Sequence, residues 1–318
     1  MSQYNFIKNN RIAITVSISM LVLLYWQIDF LGLVNIFLKI DITFLLFGLL
    51  MVLPITMLTA LRLTWLSPND NRTSYVDSLR LILAASVMNL VLPSKMGDIV
   101  KSAFMVKSSE RSYEQNLSLV IFEKIGDFLS LLLWCIFGLF LFEDNNWMFS
   151  ILLSLFFTIG LLSIISNSFS RFVFMVVLLL APDRYVHSVN KLQYEWLRMV
   201  SCVNKQQKKF YCLLLFSLFL WFLHLFQLWI FILSLGGAVP FLDSLAITPL
   251  AIFIGLLPLS FSGIGTRDLA FVYFYSSFLS AATGAALGIL ATLRYLIPAI
   301  FGIPFFIKYM NTRFSGKI

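Results

Sequence analysis

Long uninterrupted runs of apolar residues constrain this chain more than any other feature of its sequence. A helix that crosses the hydrocarbon core of a bilayer needs about 20 such residues, because lipid cannot satisfy exposed backbone polar groups. Only 12% of the residues are charged, roughly half the share of a soluble domain. The sequence therefore predicts an all-α polytopic membrane protein, with residues 1–318 forming one integral membrane domain. The runs that approach or exceed this length are residues 12–26, 43–60, 117–142, 147–166, 211–235 and 285–307.

Three further stretches fit a full crossing less well. Residues 31–39 are too short and are expected at an interface, and the run 172–181 either extends the fourth span or lies on the surface. Residues 185–210 are basic and carry apolar side chains at helical spacing, which is typical of a helix lying in the membrane interface.

The distribution of positive charge predicts the orientation. Most of the 23 Lys and Arg residues lie near the N-terminus, in residues 62–116, in residues 171–209 and in the C-terminal tail. Because cytoplasmic loops carry the excess of Lys and Arg, both termini are predicted to be cytoplasmic. The formal net charge of +8 then reflects topology and contact with anionic headgroups, and no nucleic-acid partner is expected.

Two shorter apolar elements are interrupted where a full crossing would continue. Residues 79–93 begin and end among cytoplasmic charges, whereas residues 244–257 and 269–282 lie between an outward-ending span and an inward-running one. Both elements are therefore predicted to be re-entrant, which gives about six full transmembrane helices plus two broken elements. The alternative is that each short piece crosses the bilayer.

The two broken elements share a pattern: a Leu-Pro stop, a small flexible stretch, a cation and an Asp. Proline removes a backbone donor and glycine permits unusual dihedral angles, so the freed polar groups must line a cavity or bind something polar. A helix N-terminus after the break favours an anion such as a lipid phosphate. Matched breaks in two halves indicate the substrate site of an inverted-repeat transporter, although prolines and glycines also kink ordinary helices. The first element contains Pro93, Lys95, Gly97 and Asp98, and the second contains Pro258, Gly263, Gly265, Arg267 and Asp268.

Charged residues also occur inside the predicted spans. Glu123 and Asp127 are four residues apart and share a helix face, and Arg294 lies near the middle of the last span. Because an unpaired charge at that depth is costly, we expect Arg294 to pair with one of these carboxylates or to contact the substrate. The alternative is an ion pair that only orients the helices. His224 and Gln227 are expected to form interhelical hydrogen bonds, with a proton relay as the alternative.

The chain lacks the sequence patterns of several common sites. Its three cysteines are scattered, and neither metal-ligand spacing nor a nucleotide-binding or hydrolase motif occurs. We therefore expect no metal and no cofactor, and a transporter fits this sequence better than an enzyme does.

Three segments in order resemble a known family. LPSKMGDIVKSAFM, FEKIGDF and LPLSFSGIGTRDLAF resemble the lysylphosphatidylglycerol synthase transmembrane-region family, also called flippase-like, which includes the N-terminal membrane domain of the multiple peptide resistance factor. The family pattern has LPSR-x-GE, ER-x-x-D and GG-x-G-x-RE. This chain departs from the pattern at the following positions: Lys95 and Lys124 replace Arg, Asp98 and Asp268 replace Glu, and Ser262 replaces Gly.

The resemblance implies translocation of an anionic or modified phospholipid, or of a polyprenyl-phosphate-linked sugar, in the bacterial inner membrane. The soluble aminoacyl-transferring domain that follows in the resistance factor is not expected here. The alternatives are an integral-membrane transferase that uses a lipid-phosphate donor, with Asp98 or Asp268 as base, and a scaffold for envelope polysaccharide assembly. The sequence leaves the oligomeric state open, with a homo-oligomer or contacts with envelope-biosynthesis proteins as the alternatives.

Overall fold

The computed structural model describes residues 30–67, 73–92, 97–108, 111–141, 147–205, 207–256 and 263–314, and in these ranges all regular structure is helical. The second helix has a turn at Met51, between its parts Ile42–Leu50 and Val52–Leu66. In chain order the helices are α1 Phe30–Leu38, α2 Ile42–Leu66, α3 Tyr75–Val91, α4 Gly97–Ser108, α5 Tyr113–Leu141, α6 Trp147–Ile165, α7 Asn167–Leu180, α8 Asp183–Lys205, α9 Gln207–Ser234, α10 Phe241–Leu256, α11 Thr266–Phe274 and α12 Ala281–Phe314.

The all-α polytopic membrane fold is confirmed. Four helical stretches among the described residues are long and apolar enough to cross a membrane, and a bent pair formed by α6 and α7 would make a fifth. The predicted first span, residues 12–26, lies outside the described residues. The four stretches are Ile42–Leu66, Tyr113–Leu141, Tyr211–Ser234 and Ala281–Met310.

The run 172–181 belongs to a separate helix and does not continue the fourth span in a straight line. Ser166 ends α6 and caps α7, because its hydroxyl accepts a hydrogen bond from the backbone N–H of Phe169. The chain turns by 105° at this point. Ser170 of α7 accepts a hydrogen bond from the indole N–H of Trp196 at 3.2 Å, which joins α7 to the amphipathic helix α8. The interfacial position of α8 stays a prediction.

The two broken elements form helical hairpins. The first consists of α3 and α4, and the second consists of α10 and α11. At Gly97 a Cβ atom would overlap the backbone of Met88 and Asn89, so a side chain there would push α4 away from α3. Gly263 and Gly265 have φ angles of 76° and 93°, a region that L-residues with side chains rarely adopt. Glycine thus permits a tight packing in one hairpin and the backbone path in the other.

Both hairpins pack against α12, toward its two ends. Gly302 lies against the Leu83 carbonyl of α3, whereas Gly284 lies against Val272 of α11. These two glycines are 18 positions apart in the sequence, or about 27 Å along the axis. Small residues at such contacts let helix backbones approach closely. This arrangement agrees with hairpins that enter the membrane from opposite faces, and the re-entrant topology itself stays a prediction.

Candidate functional site

A cavity of about 390 Å³ lies between the helices. Seven helices contribute to its wall: α2, α3, α4, α5, α9, α10 and α12. One part of the wall is apolar, and another carries charged side chains. Its polar and charged lining residues are Thr56, Thr59, Arg62, Ser86, Asn89, Asp98, Glu123, Lys124, Asp127, His224, Gln227, Arg294 and Tyr295.

Arg62 occupies the centre of a buried ionic cluster. Its Nη2 atom donates hydrogen bonds to Glu123 Oε1 and Asp127 Oδ2, each at 3.1 Å. Its Nη1 atom contacts Asp127 Oδ1 and donates to Ser217 Oγ at 2.9 Å. The side chains of Arg62 and Glu123 are almost fully buried. This cation therefore holds α2 against α5 and α9.

Two lysines complete the cluster and connect it to the first hairpin. Lys101 donates to Glu123 Oε2 at 2.8 Å, and Lys124 contacts Asp98 Oδ2 at 2.7 Å and Asp127 Oδ2 at 3.2 Å. Arg62, Lys101 and Lys124 thus face three carboxylates, so the formal charges balance. The cluster is a neutral unit that fixes α4 to α5.

Asp98 on α4 is held in its ionised form. Its Oδ1 accepts a hydrogen bond from Asn89 Nδ2, and its backbone N–H donates to Asn89 Oδ1, both at 3.2 Å. Burial acts to raise the pKa of Asp98, but the charges of Lys124 and Lys101 and the hydrogen bonds from Lys124 and Asn89 outweigh it and lower the pKa. A carboxylate in this setting is a poor general base.

Arg294 has a different environment, and the expected pairing with Glu123 or Asp127 is wrong. Its Nη1 atom donates to Gln227 Oε1 at 3.1 Å and to the His224 carbonyl at 3.4 Å, and its Nη2 atom donates to Tyr295 Oη at 2.8 Å. Its Nε atom is buried and has no hydrogen-bond partner among the described residues. Every described hydrogen-bond acceptor of this cation is uncharged, because Arg62 already occupies the two carboxylates.

Gln227 fixes the position of the Arg294 side chain. Its Nε2 atom donates to the carbonyl of Gly48 on α2 at 2.8 Å, so its Oε1 atom is left to accept from Arg294. The predicted interhelical hydrogen bonding of Gln227 is confirmed.

Arg267 and Asp268 form a compact unit on α11 that does not line the cavity. Arg267 Nη2 donates to Asp268 Oδ1 at 2.9 Å, to the Gly288 carbonyl at 3.0 Å and to Thr292 Oγ1 at 2.6 Å. Asp268 Oδ2 accepts from the backbone N–H of Gly265 at 3.0 Å. The carboxylate of Asp268 therefore already occupies the anion-favouring helix N-terminus.

The structure brings together only some of the predicted site residues. Asp98, Glu123, Asp127 and Arg294 line one cavity, whereas Arg267 and Asp268 bind α12 elsewhere. The expected contacts of Lys95, Pro93 and Pro258 fall outside the described residues.

Arg62 lies in the site, although its place in the sequence predicted a cytoplasmic loop. The apolar pattern that places Arg62 in the span was present in the sequence, because it continues beyond residue 60 through Leu61, Leu63, Trp65 and Leu66.

Among the described residues, no group of three or more His, Cys, Asp or Glu side chains could hold a metal ion.

The family model of the lysylphosphatidylglycerol synthase TM region matches residues 11–302. The chain belongs to this family. No curated protein and no solved structure matches the chain. The match covers both hairpins, every residue of the ionic cluster and the transmembrane helices as far as residue 302 of α12, so the resemblance inferred from the three motifs is confirmed. The protein is a multi-pass membrane protein with a function related to membrane lipids.

Proposed function

We propose that this protein translocates a lipid across the cytoplasmic membrane, and that Arg294 binds the phosphate of the lipid headgroup. The observation that carries the proposal is a buried arginine that lines a cavity and has only neutral described hydrogen-bond partners. Arg294 is 3% exposed and lies within a helix long enough to span the bilayer. A charge in such a position costs a few kcal/mol even on mild insertion scales, so it marks a substrate pathway by default.

The remaining hydrogen-bonding capacity of Arg294 suits a phosphate. A guanidinium has five N–H donors, and the described contacts leave the Nε donor and one Nη2 donor. Nε and Nη2 lie along the same edge of the guanidinium, where two parallel hydrogen bonds can reach two oxygens of one phosphate. A bound phosphate would therefore supply both the missing counter-charge and the missing acceptors.

The lipid would follow a path between the ionic cluster and the two hairpins. The neutral cluster of Arg62, Lys101, Lys124 and their carboxylates would form one wall, and the hairpins would close the cavity from either face. Lys95 would receive the phosphate from the cytoplasmic side, as expected from the sequence. For Arg267 and Asp268 we propose a supporting role, because their described hydrogen bonds are already satisfied by each other and by α12.

Reconstitution into liposomes tests the proposal. A fluorescent phosphatidylglycerol in the inner leaflet becomes accessible to external dithionite only if the protein moves it outward. We expect the native protein to accelerate this loss of fluorescence and Arg294→Gln to abolish the acceleration. Arg80→Gln is the control, because Arg80 is exposed and its ion pair among the described residues is with Asp77 on the surface.

Equal translocation by Arg294→Gln and the native protein would refute the role of Arg294. A new covalent lipid product, detected by mass spectrometry without translocation, would instead identify a transferase.

A further inference from the structure

We propose that the cavity selects lipids whose headgroup carries a single phosphodiester, and that it discriminates against lipids linked through a diphosphate. This inference rests on the proposed function and names the substrate class of that same site. It follows from the number and position of charges around the cavity.

The described residues that form the ionic cluster leave no net charge for a ligand. Arg62, Lys101 and Lys124 are matched by the same number of carboxylates at 2.7–3.2 Å, apart from the closer Arg62–Asp127 contact. Arg294 is then the one cation of the described lining whose charge no carboxylate offsets. A phosphodiester carries one negative charge and would neutralise it.

A second negative charge would be unfavourable for two reasons. It would lack a matching cation, because Arg294 offers only one free edge. The other exposed ionic groups of the lining would not offset it either, because Lys124, 39% exposed, already pairs with Asp98 and Asp127, which keep 15% and 20% of their side chains exposed. Charges inside a membrane protein interact through a low dielectric constant, so an unmatched second charge is weakly screened and costly to bury.

Two classes of lipid supply the required chemistry. Phosphatidylglycerol and a polyprenyl monophosphate bearing one hexose each contain one phosphodiester, whereas a polyprenyl diphosphate bearing the same hexose carries one more charge. The last two lipids share chain and sugar, so their comparison isolates the additional phosphate. The comparison of the first two distinguishes a phospholipid from a polyprenyl source.

Native mass spectrometry of the full chain in detergent measures the binding of each lipid, with inorganic phosphate as the probe that lacks the lipid chain. We expect at least one of the monophosphate lipids to bind about tenfold or more tightly than the diphosphate lipid. Arg294→Gln should remove this binding, and Arg80→Gln should retain it.

Asp98→Asn provides the sharper test. It removes the carboxylate that pairs with Lys124 while keeping the shape of the side chain, and so raises the charge of the cavity by one unit. We expect this variant to bind the diphosphate lipid more tightly than the native protein does. The ratio of its affinities for the monophosphate and diphosphate lipids should fall by about tenfold.

The outcomes separate the inference from the proposed function. Arg294-dependent binding of the diphosphate lipid that equals or exceeds that of both monophosphate lipids would overturn the charge selectivity, while leaving the phosphate site intact. Binding of all three lipids that is unaffected by Arg294→Gln would overturn the phosphate site itself. An unchanged preference for monophosphate over diphosphate lipids in Asp98→Asn would contradict charge balance as the cause of the selectivity.

Discussion

Arg62 and Arg294 are both buried arginines within apolar helices, yet their surroundings assign them different roles. Arg62 is surrounded by carboxylates and a hydroxyl, whereas the described hydrogen bonds of Arg294 reach a carbonyl, an amide and a phenol. A matched ion pair stabilises the packing of helices. A cation without a carboxylate at a cavity is suited to a ligand.

Removal of Arg62 should destabilise the protein. Arg62→Gln leaves Glu123 and Asp127 with less compensating charge in a buried position, and breaking such a pair typically costs about 3–5 kcal/mol. We expect a clearly lower midpoint of thermal unfolding in detergent, measured by intrinsic fluorescence. Arg80→Gln, which breaks an exposed pair, should change stability by about 1 kcal/mol or less. Equal small shifts in both variants would show that the cluster does not stabilise the fold.

The sequence predicts which charged residues belong to the site better than it predicts which residues they pair with. The four-residue spacing of Glu123 and Asp127 and the depth of Arg294 follow from helical periodicity and from the cost of buried charge. The pairing does not, because it depends on which helices are neighbours. Arg62 and Glu123 are 61 positions apart, and no local pattern relates them.

At the scale of elements, close backbone contacts hold the first hairpin against α12. A Cβ atom at Gly302 would overlap the Leu83 carbonyl oxygen, and backbone cannot move aside as a flexible side chain can. This contact lies in a helix that also contains Pro298 and Pro304. The fit between α3 and α12 therefore depends on the absence of a side chain at this position.

Gly302→Ala should therefore lower the thermal stability of the protein and reduce translocation. Gly126→Ala is a matched control on α5, because the nearest atom to its added Cβ would be Ser217 Oγ at 3.9 Å. We expect the control to be neutral or slightly stabilising, since Ala favours a helix over Gly by up to about 1 kcal/mol. The same apparent melting temperature in both variants would contradict this account of the α3–α12 contact.

The breaks in the hairpins follow from the sequence, but their packing does not. Pro93 and Pro258 with their neighbouring glycines predict where helices end, and α3 and α10 do end just before these positions. The capping of α11 by Asp268 was not foreseen, because the same Asp was expected to contact substrate. Proximity of Asp268 to the backbone N–H of Gly265 depends on the turn that the two glycines make.

For the whole molecule, the distribution of Lys and Arg predicts which surfaces face the cytoplasm. Lys191 on α8 and Leu242 at the start of α10 are both exposed, and the topology places them on opposite sides. In a variant lacking the three native cysteines, we expect Leu242→Cys to react with a membrane-impermeant maleimide in intact cells. Lys191→Cys should react only after permeabilisation. The reverse pattern would contradict the orientation.

The Arg62 cluster also affects how the protein is inserted into the membrane during synthesis, because its members are synthesised at different times. Arg62 leaves the ribosome 61 positions before Glu123 and 65 before Asp127. At about 5–20 residues per second, its guanidinium waits roughly 3–13 s for either counter-charge. During this interval the insertion machinery must shelter α2 from lipid or delay its release. Biogenesis of this protein is therefore expected to be most vulnerable before α5 arrives.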